Sequence, residues 1–146
     1  MAEEIKKKPG VGVGVMILKE GKVLLGMRHA DPNKADSELH GEGTWTMPGG
    51  KVHFLEELED AAFREAKEET GIEIDKLKLK IISVQSDIAD DAHFVTIGYL
   101  CQDFFGEPKV MEPDEIIYWK WFDLNELPSP IFRPSEKLLM AYRGKQ

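Results

Sequence analysis

The chain has 146 residues and carries 27 acidic against 19 basic side chains, which gives a formal net charge of −8. This length suits one domain with a single sizeable core, and the negative charge makes a nucleic acid polymer an unfavourable partner. One cysteine, Cys101, excludes an intrachain disulfide and a cysteine-based zinc site, and we expect it to be a small buried hydrophobe in a strand.

The first ten residues, MAEEIKKKPG, are charged and contain no apolar segment of the kind found in signal peptides. No apolar run in the chain approaches the roughly eighteen residues needed to span a bilayer. We therefore predict a soluble, cytoplasmic protein with no membrane partner. Residues 1–9 are expected to form a flexible tail, and residues 10–146 a single domain.

Two apolar segments near the N-terminus predict a β-hairpin. Residues 11–18 (VGVGVMIL) are followed by the turn KEGK at 19–22 and by a second apolar run at 23–27. Gly12 and Gly14 resemble part of a dinucleotide-binding loop, but the spaced third glycine is missing and the segment continues as strand. Close backbone packing inside a sheet is the preferred interpretation of these glycines.

Residues 29–43 (HADPNKADSELHGEG) are polar and rich in turn-forming residues, which predicts a long surface loop. Long loops in compact domains often form lids or binding loops. Arg28 ends the strand before this loop and is a candidate substrate-binding residue. The alternative for Arg28 is an ordinary exposed arginine.

An acidic segment follows at residues 50–72 (GKVHFLEELEDAAFREAKEETGI). Pro48-Gly49-Gly50 predicts a turn before it, and the helix is expected to close at Gly71. At 100° per residue, one helix face is apolar at its start and continues with three carboxylates, those of Glu65, Glu68 and Glu69. The opposite face is predicted to be solvated and contains Glu59, Asp60, Lys67 and Thr70.

Three carboxylates gathered on one helix face repel one another unless a cation lies among them. Oxygen ligands, without paired histidines at ligand spacing, favour Mg²⁺ or Mn²⁺ over zinc. The alternative is a solvated glutamate-rich face stabilised by i,i+4 pairs. That alternative explains neither the preceding glycines nor the acids that continue the apolar stripe, so the cation site is favoured.

These residues resemble the Nudix box, whose pattern is GX5EX7REUXEEXGU with U a bulky aliphatic residue. The match begins at Gly50, continues with Glu56 and ends with residues 64–72, REAKEETGI. Three positions depart from the pattern: Ala66 is small where a bulky residue is usual, and His53 and Leu55 replace an acid and a glycine. The departures in the first gap are expected to alter the loop geometry and remove no box carboxylate.

The resemblance implies an α/β/α sandwich around a mixed central β-sheet. It also implies hydrolysis, dependent on a divalent metal such as Mg²⁺, of a nucleoside diphosphate linked to another moiety. Carried over to this chain, Arg64 would orient the box glutamates and Glu56 would be an accessory acid. The implied metal ligands are Glu65, Glu68, Glu69 and the carbonyl of Gly49. Such a reaction needs an activated water and no serine or cysteine nucleophile.

The remainder of the chain predicts strands at residues 77–88, 94–105 and 118–122, and a final helix over residues 135–142 with Ser135 as its N-cap. The resemblance further implies that an acid in the loop before the last strand serves as an extra metal ligand or as the general base. Glu112 and Glu115 are the candidates, Glu112 as the ligand and Glu115 as the base. An exposed acidic turn is the alternative for both.

The substrate is indicated less directly. The proline typical of many ADP-ribose hydrolases and the tyrosine typical of many dinucleoside polyphosphate hydrolases are both missing at Asp87-Ile88. By elimination the chain is most similar to MutT-like nucleoside triphosphate pyrophosphatases. A looser resemblance to a subgroup of nucleotide diphosphatases implies a homodimer that cleaves (d)NTPs, including oxidised or modified purine ones.

Three aromatic residues are candidates for stacking on a nucleotide base: Trp45, Phe94 and Phe132. Each is alternatively a core residue. Two other functions remain open from the sequence: hydrolysis of ADP-ribose or a nucleotide sugar, and a catalytically silent nucleotide-binding module. The intact box glutamates argue against the silent module.

Overall fold

The computed structural model describes residues 7–34 and 39–144. Two helices are present in these ranges, α1 (Leu58–Thr70) and α2 (Arg133–Gly144). The strands are β1 (Gly10–Lys19), β2 (Lys22–Arg28), β3 (Trp45–Thr46), β4 (Gly49–Lys51), β5 (Glu73–Ile74), β6 (Lys80–Ala89), β7 (Ala92–Cys101), β8 (Phe104–Phe105) and β9 (Ile116–Asp123). A short 3-10 turn at Lys76–Lys78 lies between β5 and β6.

A mixed sheet forms the centre of the fold. Its strands follow the order β3-β2-β1-β7-β6, with β4 beside β1 and β9 beside β2. β1 runs parallel to β7 and antiparallel to β2, so the predicted N-terminal hairpin is confirmed. The antiparallel pair β6 and β7 confirms two strands after the acidic helix, but the predicted bounds are partly wrong. The predicted start at residue 77 lies in the 3-10 turn, and the second predicted strand is interrupted after Cys101, with Phe104–Phe105 forming β8.

Alternate residues of β1 face opposite sides of the sheet and determine which helix each side packs against. Val13 and Val15 belong to a core cluster with three alanines of α1. Met16 and Leu18 belong to a second cluster with Leu138 of α2. The sheet therefore lies between the two helices, and the predicted α/β/α sandwich is confirmed.

Helix α1 approaches the sheet closely because its inner face is made of small residues. The fully buried residues of α1 are Ala61, Ala62, Ala66 and Thr70. The helix ends at Gly71, whose φ of 79° is left-handed and whose N–H donates to the carbonyl of Lys67. The predicted closure at Gly71 is confirmed, and the unusually small box residue Ala66 lies inside the helix–sheet contact.

The prediction that Thr70 lies on a solvated face is wrong. Its hydroxyl donates to the carbonyl of Ala66 at 2.6 Å and accepts from the N–H of Ile72 at 3.1 Å. The side chain thereby satisfies backbone groups at the end of the helix, which allows it to be buried in the last turn.

Two further local predictions are wrong. Of the predicted turn Pro48-Gly49-Gly50, only Pro48 lies in a bend, while the two glycines begin β4, in which Gly49 pairs with Gly14 and Gly50 with Val13. A Cβ at Gly49 would clash with the carbonyl of Val13, so glycine here permits close strand pairing.

Ser135 is not the N-cap of the last helix, because α2 begins two residues earlier at Arg133. Pro134 suits the first helical turn, where its missing N–H has no helical partner to lose. The Ser135 hydroxyl, now inside the helix, accepts a hydrogen bond from the N–H of Met47 at 2.9 Å. It therefore connects α2 to the segment that precedes β4.

Among the described residues of the 29–43 connection, no strand or helix forms, in agreement with the predicted loop. Residues 35–38 of that loop and residues 1–6 of the predicted tail lie outside the described ranges. In the part of the chain that the structure covers, neither helix has the length and apolar character needed to cross a bilayer.

Candidate active site

An open cavity of about 570 Å³ lies over the middle of the sheet, between the second half of α1 and the first turn of α2. We call one side of it the acidic wall, which comprises Glu65, Glu68, Glu69, Glu112 and Glu115. We call the other side the aromatic wall, which comprises Phe94, Thr96, Phe132, Pro134 and Leu138. The structure therefore brings the predicted box glutamates and two predicted aromatic residues to one cavity.

The glycines of β1 make room for this cavity. Gly12 and Gly14 lie on the α2 side of the sheet, alternating with the valines that face α1. A Cβ at Gly14 would lie 2.8 Å from a methyl carbon of Leu138, and one at Gly12 would lie 3.2 Å from the carbonyl oxygen of Gly50. Close packing is thus the correct interpretation of these glycines, and it leaves an open floor.

Glu69 is the most enclosed carboxylate of the acidic wall, with 9% of its surface exposed. One carboxyl oxygen accepts from the N–H of Gly49 at 3.1 Å. Its main-chain carbonyl accepts from the indole N–H of Trp119 at 3.0 Å, which fixes the end of α1 against β9. The side chain is therefore held between α1 and the start of β4.

Burial raises the pKa of Glu69 well above the usual value for a glutamate, and a hydrogen bond and charge from Glu65 raise it further. The Gly49 N–H acts in the opposite direction. A Cβ at Gly50 would lie 2.5 Å from the carboxyl carbon of Glu65, so only glycine leaves space for that carboxylate. Glu65 and Glu69 thus form a close pair of like charges.

Arg64 binds the other box acids. Its guanidinium donates to both carboxyl oxygens of Glu56, at 2.8 and 3.0 Å, and to Glu65 at 2.6 Å. It also donates to the carbonyl of Lys51 at 2.8 Å and, more weakly, to Glu68 at 3.3 Å. The predicted orienting contacts of Arg64 with box glutamates are present in the structure, and Glu56 provides its bidentate partner.

The ion pair between Arg64 and Glu56 should make the unfolding free energy depend on pH in the acid range. Hydrogen bonds from Arg64 lower the pKa of Glu56 from 4.5 to about 2. Because this pKa is depressed on folding, the stabilisation is fully present above pH 4.5 and is lost as the pH falls towards 2. We expect the difference in unfolding free energy between wild type and Glu56→Gln to narrow across this range, measured by urea unfolding at several pH values.

Glu57→Gln is the matched control for that experiment, because Glu57 is exposed and makes no side-chain capping bond to α1. Its unfolding free energy should follow that of wild type at every pH. A constant difference between wild type and Glu56→Gln from pH 7 to pH 2 would contradict the assigned ion pair.

The loop before β9 places the remaining acids at the cavity. Burial raises the pKa of Glu112, and the charges of Glu115, Glu65 and Glu68 raise it further. Glu115 is exposed and lines the same cavity, with its main-chain carbonyl accepting from the N–H of His29 at 2.8 Å. Both predicted candidates therefore lie beside the box glutamates.

Arg28 is buried, with 7% exposure, and packs on Phe132 with 4.6 Å between its guanidinium carbon and the ring centre. It donates to the carbonyl of His40 at 2.9 Å, which ties the 29–43 loop to the cavity. Desolvation lowers the pKa of Arg28, while Glu42, Glu115 and Glu69 act against that shift. The alternative of an ordinary exposed arginine is therefore wrong.

The structure does not bring Trp45 to the cavity: among the described residues that line it, this tryptophan is absent. Trp45 is buried in the α2-side core, where it contacts Phe122 and Tyr118 edge-on at centroid separations of 4.7 and 5.4 Å. Its position in β3 turns the indole towards this core. Trp45 is therefore a core residue, which was the alternative to base stacking.

Two cavity residues were not singled out from the sequence, Lys51 and Thr96. The Lys51 ammonium lies 5.6 Å from the centre of the Phe94 ring. Thr96 is buried and donates a 2.6 Å hydrogen bond to Asp87. A polar residue between Val95 and Ile97 in a predicted strand was the available signal for Thr96, and the glycines before Lys51 were the signal for that lysine.

The sequence of this chain is similar to those of known proteins. The family model described as NUDIX domain matches residues 8–142. An ADP-ribose pyrophosphatase of Methanocaldococcus jannaschii is 35% identical, over 92% of this chain and 73% of its own length. An oxidized purine nucleoside triphosphate hydrolase of Danio rerio is 32% identical, over 78% of this chain and 66% of its own length.

Solved structures give the same result. The crystal structure of a MutT NUDIX hydrolase from Burkholderia pseudomallei is similar with a TM-score of 0.81 and 36% identity. The match covers 92% of this chain and 98% of that protein. The similarity therefore extends over most of this chain and nearly all of that protein.

Proposed function

This chain belongs to the NUDIX domain family, and we propose that it hydrolyses a nucleoside triphosphate to a nucleoside monophosphate and pyrophosphate, using a divalent cation. We assign this activity to a single domain over residues 10–146. The candidate substrates are dGTP and oxidised or modified purine deoxynucleoside triphosphates. The observation that carries the proposal is the buried carboxyl of Glu69 beside Glu65, in a cavity whose other wall is aromatic.

The acidic wall fits a hard divalent cation. Glu65 and Glu69 are two carboxyl groups in contact, an arrangement that a proton or a cation must stabilise. Within residues 7–34 and 39–144, no three acidic, histidine or cysteine side chains stand close enough together to form a metal site as they are. Glu65 and Glu68 are paired with Arg64. All available donors are oxygens, which favours Mg²⁺ with Mn²⁺ as a substitute. The residues proposed to hold the ion are Glu65, Glu68, Glu69, Glu112 and the carbonyl of Gly49.

The bound cation would neutralise phosphate oxygens and lower the pKa of a water molecule. The side chains of this protein would position the carboxylates and accept the proton of the attacking water. Arg64 holds Glu65 in position, since a guanidinium that binds two carboxylates restricts the rotamers of both. Glu115 is the proposed proton acceptor for the attacking water, because it is exposed at the cavity beside the other acids.

The remaining cavity residues supply contacts for a nucleotide. Arg28 and Lys51 bring positive charge to an otherwise acidic site, which favours a phosphate-bearing ligand. Phe94 and Phe132 line the cavity, and a base can pack against the ring surface that Lys51 and Arg28 leave uncovered. We propose these side chains as the substrate-binding residues, with Trp45 removed from the set.

The similar proteins support two different substrates. The similarity to an oxidized purine nucleoside triphosphate hydrolase supports the triphosphate. The similarity to an ADP-ribose pyrophosphatase, over 92% of this chain, supports ADP-ribose as the second candidate. The family sets the anhydride chemistry, whereas side chains outside the box choose the substrate.

A substrate panel with product identification tests the proposal. Wild-type protein with Mg²⁺ is incubated with dGTP, oxidised dGTP, the other deoxynucleoside triphosphates, ADP-ribose and a nucleotide sugar, and products are separated by anion-exchange chromatography. We expect a nucleoside monophosphate and pyrophosphate. Formation of AMP and ribose phosphate alone would establish the second candidate, and binding without turnover would show a silent module.

We also propose that the chain forms a homodimer through the edge strand β6. Val84 and Ile88 on this strand are 66% and 67% exposed, so they give the edge of the sheet an apolar surface that a second copy could cover. Light scattering is expected to give twice the chain mass of 16.5 kDa. The double variant Val84→Glu and Ile88→Glu should be monomeric, while Leu77→Glu, a change at an exposed apolar residue outside β6, should remain dimeric. A monomeric wild type would overturn this proposal.

A further inference from the structure

A buried polar network connects β6, β7 and the start of α2 behind the aromatic wall. Asp87 on β6 is 3% exposed and forms an ion pair with Lys137 of α2 at 2.9 Å. The hydroxyl of Thr96 lies 2.6 Å from the other carboxyl oxygen of Asp87. The side-chain amide of Gln85 donates to both oxygens, at 3.2 and 3.1 Å.

This network determines the direction of the Thr96 hydrogen bond. An ionised carboxylate paired with Lys137 can only accept, so the Thr96 hydroxyl must donate its single proton to Asp87. The hydroxyl oxygen then retains lone pairs and no proton for any other partner. Thr96 lines the cavity, and the only polar group of its side chain is this hydroxyl, which toward a bound ligand can act only as an acceptor.

An acceptor at this position excludes the phosphates of a nucleotide as its partner and suits the base. Phosphate oxygens are themselves acceptors and carry negative charge, so they cannot pair with an oxygen that has no proton to give. The neighbours of Thr96 on the aromatic wall, Phe94, Pro134 and Leu138, suit a flat aromatic ring. A purine base that carries an N–H donor satisfies both conditions.

We infer that Thr96 is a specificity-determining residue whose hydroxyl oxygen accepts a hydrogen bond from an amino group of a purine base. Asp87 is the positioning residue, because it takes the hydroxyl proton and so leaves the oxygen as an acceptor. The inference rests on the proposed function, since it assumes that the cavity binds a purine nucleotide. It adds a preference among purines: a base with an amino group should be favoured over the same base without it, because the lone pair would otherwise lose its partner.

The same network has a structural role, which the test must separate. Lys137 also donates to the carbonyl of Ser86 at 2.7 Å, and Gln85 donates to the carbonyl of Pro134 at 3.2 Å. These bonds attach the first turn of α2 to β6. Removing Asp87 would therefore disturb the aromatic wall, whereas changing Thr96 alone leaves these attachments in place.

The test compares nucleotides that differ by a single amino group. The pairs are dGTP with dITP, and dATP with the triphosphate of purine deoxyriboside. In the wild type we expect kcat/KM to favour the amino-bearing member of at least one pair by about tenfold. Thr96→Val, which keeps the shape and removes the hydroxyl, should bring that ratio close to one, and Thr96→Ser should retain it.

Asp87→Asn provides a second, opposite perturbation. Lys137 requires an acceptor, so the amide oxygen should face it and the amide N–H should face Thr96. Thr96 would then accept from Asn and direct its own proton into the cavity, against the amino group of the base. The preference for the amino-bearing nucleotide should disappear or invert, with thermal unfolding measured alongside to record the structural cost.

A merely structural Thr96 would lower both members of a pair equally and leave the ratio unchanged in Thr96→Val, which would overturn the inference. No preference in either pair for the wild type would also overturn it. The ratios are measured a second time as dissociation constants of the matching monophosphates by calorimetry. A wild type that binds the monophosphates with the expected preference but does not hydrolyse the triphosphates would count against the proposed function alone. A ratio of dissociation constants that is the same in the wild type and in all variants would count against the inference alone.

Discussion

Glu69→Gln is expected to lower kcat/KM for a nucleoside triphosphate by at least about a hundredfold while the protein stays folded. The substitution keeps the shape of the side chain and an oxygen that can accept from the Gly49 N–H. It removes the negative charge at the most enclosed position of the acidic wall. Steady-state release of pyrophosphate, with circular dichroism to monitor the fold, measures the effect.

The Glu57→Gln variant is the matched control, since it makes the same chemical change just before α1 at an exposed position outside the cavity. Its kcat/KM should equal that of wild type. Undiminished turnover by Glu69→Gln would remove Glu69 from the catalytic machinery and with it the main support for the proposed activity.

The same variant has a thermodynamic signature in metal-free buffer. Since the pKa of Glu69 is raised on folding, the folded state binds its proton more tightly than the unfolded state. Stability should therefore fall as the pH rises from 4.5 towards the raised pKa, and this fall should be smaller in Glu69→Gln. The physical reason for both trends is the burial of the Glu69 carboxyl, to which the hydrogen bond and charge of Glu65 add.

Removal of divalent cations is expected to abolish hydrolysis, and Mg²⁺ or Mn²⁺ to restore it. The reason is electrostatic: a polyphosphate approaching five glutamates in a chain of net charge −8 is repelled unless positive charge intervenes. Protein treated with a chelator and desalted is assayed with each metal added back. Turnover at the full rate in the chelated protein would contradict the proposed cation.

A readout independent of turnover accompanies this experiment. A cation that binds only the folded state at a hundred times its dissociation constant stabilises the protein by about 2.7 kcal/mol. The melting temperature of the desalted protein should therefore rise with Mg²⁺, and rise less in Glu69→Gln. An identical rise in the two proteins would place the bound ion elsewhere.

Local patterns in the sequence determined the architecture and the family of this chain. Alternating apolar residues and a short turn predicted the N-terminal hairpin, and a 3.6-residue period predicted the acidic helix. The spacing from Gly50 to Ile72 predicted the family, which the match over residues 8–142 confirms. These features depend on neighbours within a few residues, where the periods of helices and strands constrain which side chains share a face.

Contacts between residues distant in sequence were not predictable in this way. Trp45 and Phe132 are both aromatic, yet Trp45 in β3 lies in the core and Phe132, in the segment just before α2, lies at the cavity. Gly49 was expected in a turn and pairs with Gly14 instead, since β4 needs the space that glycine leaves. The choice between such alternatives depends on the partner strand.

The sequence by itself therefore determined the two helices, most of the sheet, and the three box carboxylates that line the cavity, Glu65, Glu68 and Glu69. Only the tertiary structure decided that Glu69 is enclosed while Glu68 is half exposed, and that Arg64 pairs with Glu56. It also decided that Asp87, Thr96 and Lys137 meet behind the aromatic wall. The physical reason is that burial and hydrogen-bond direction depend on long-range packing, whereas helix and strand periods depend on the local chain.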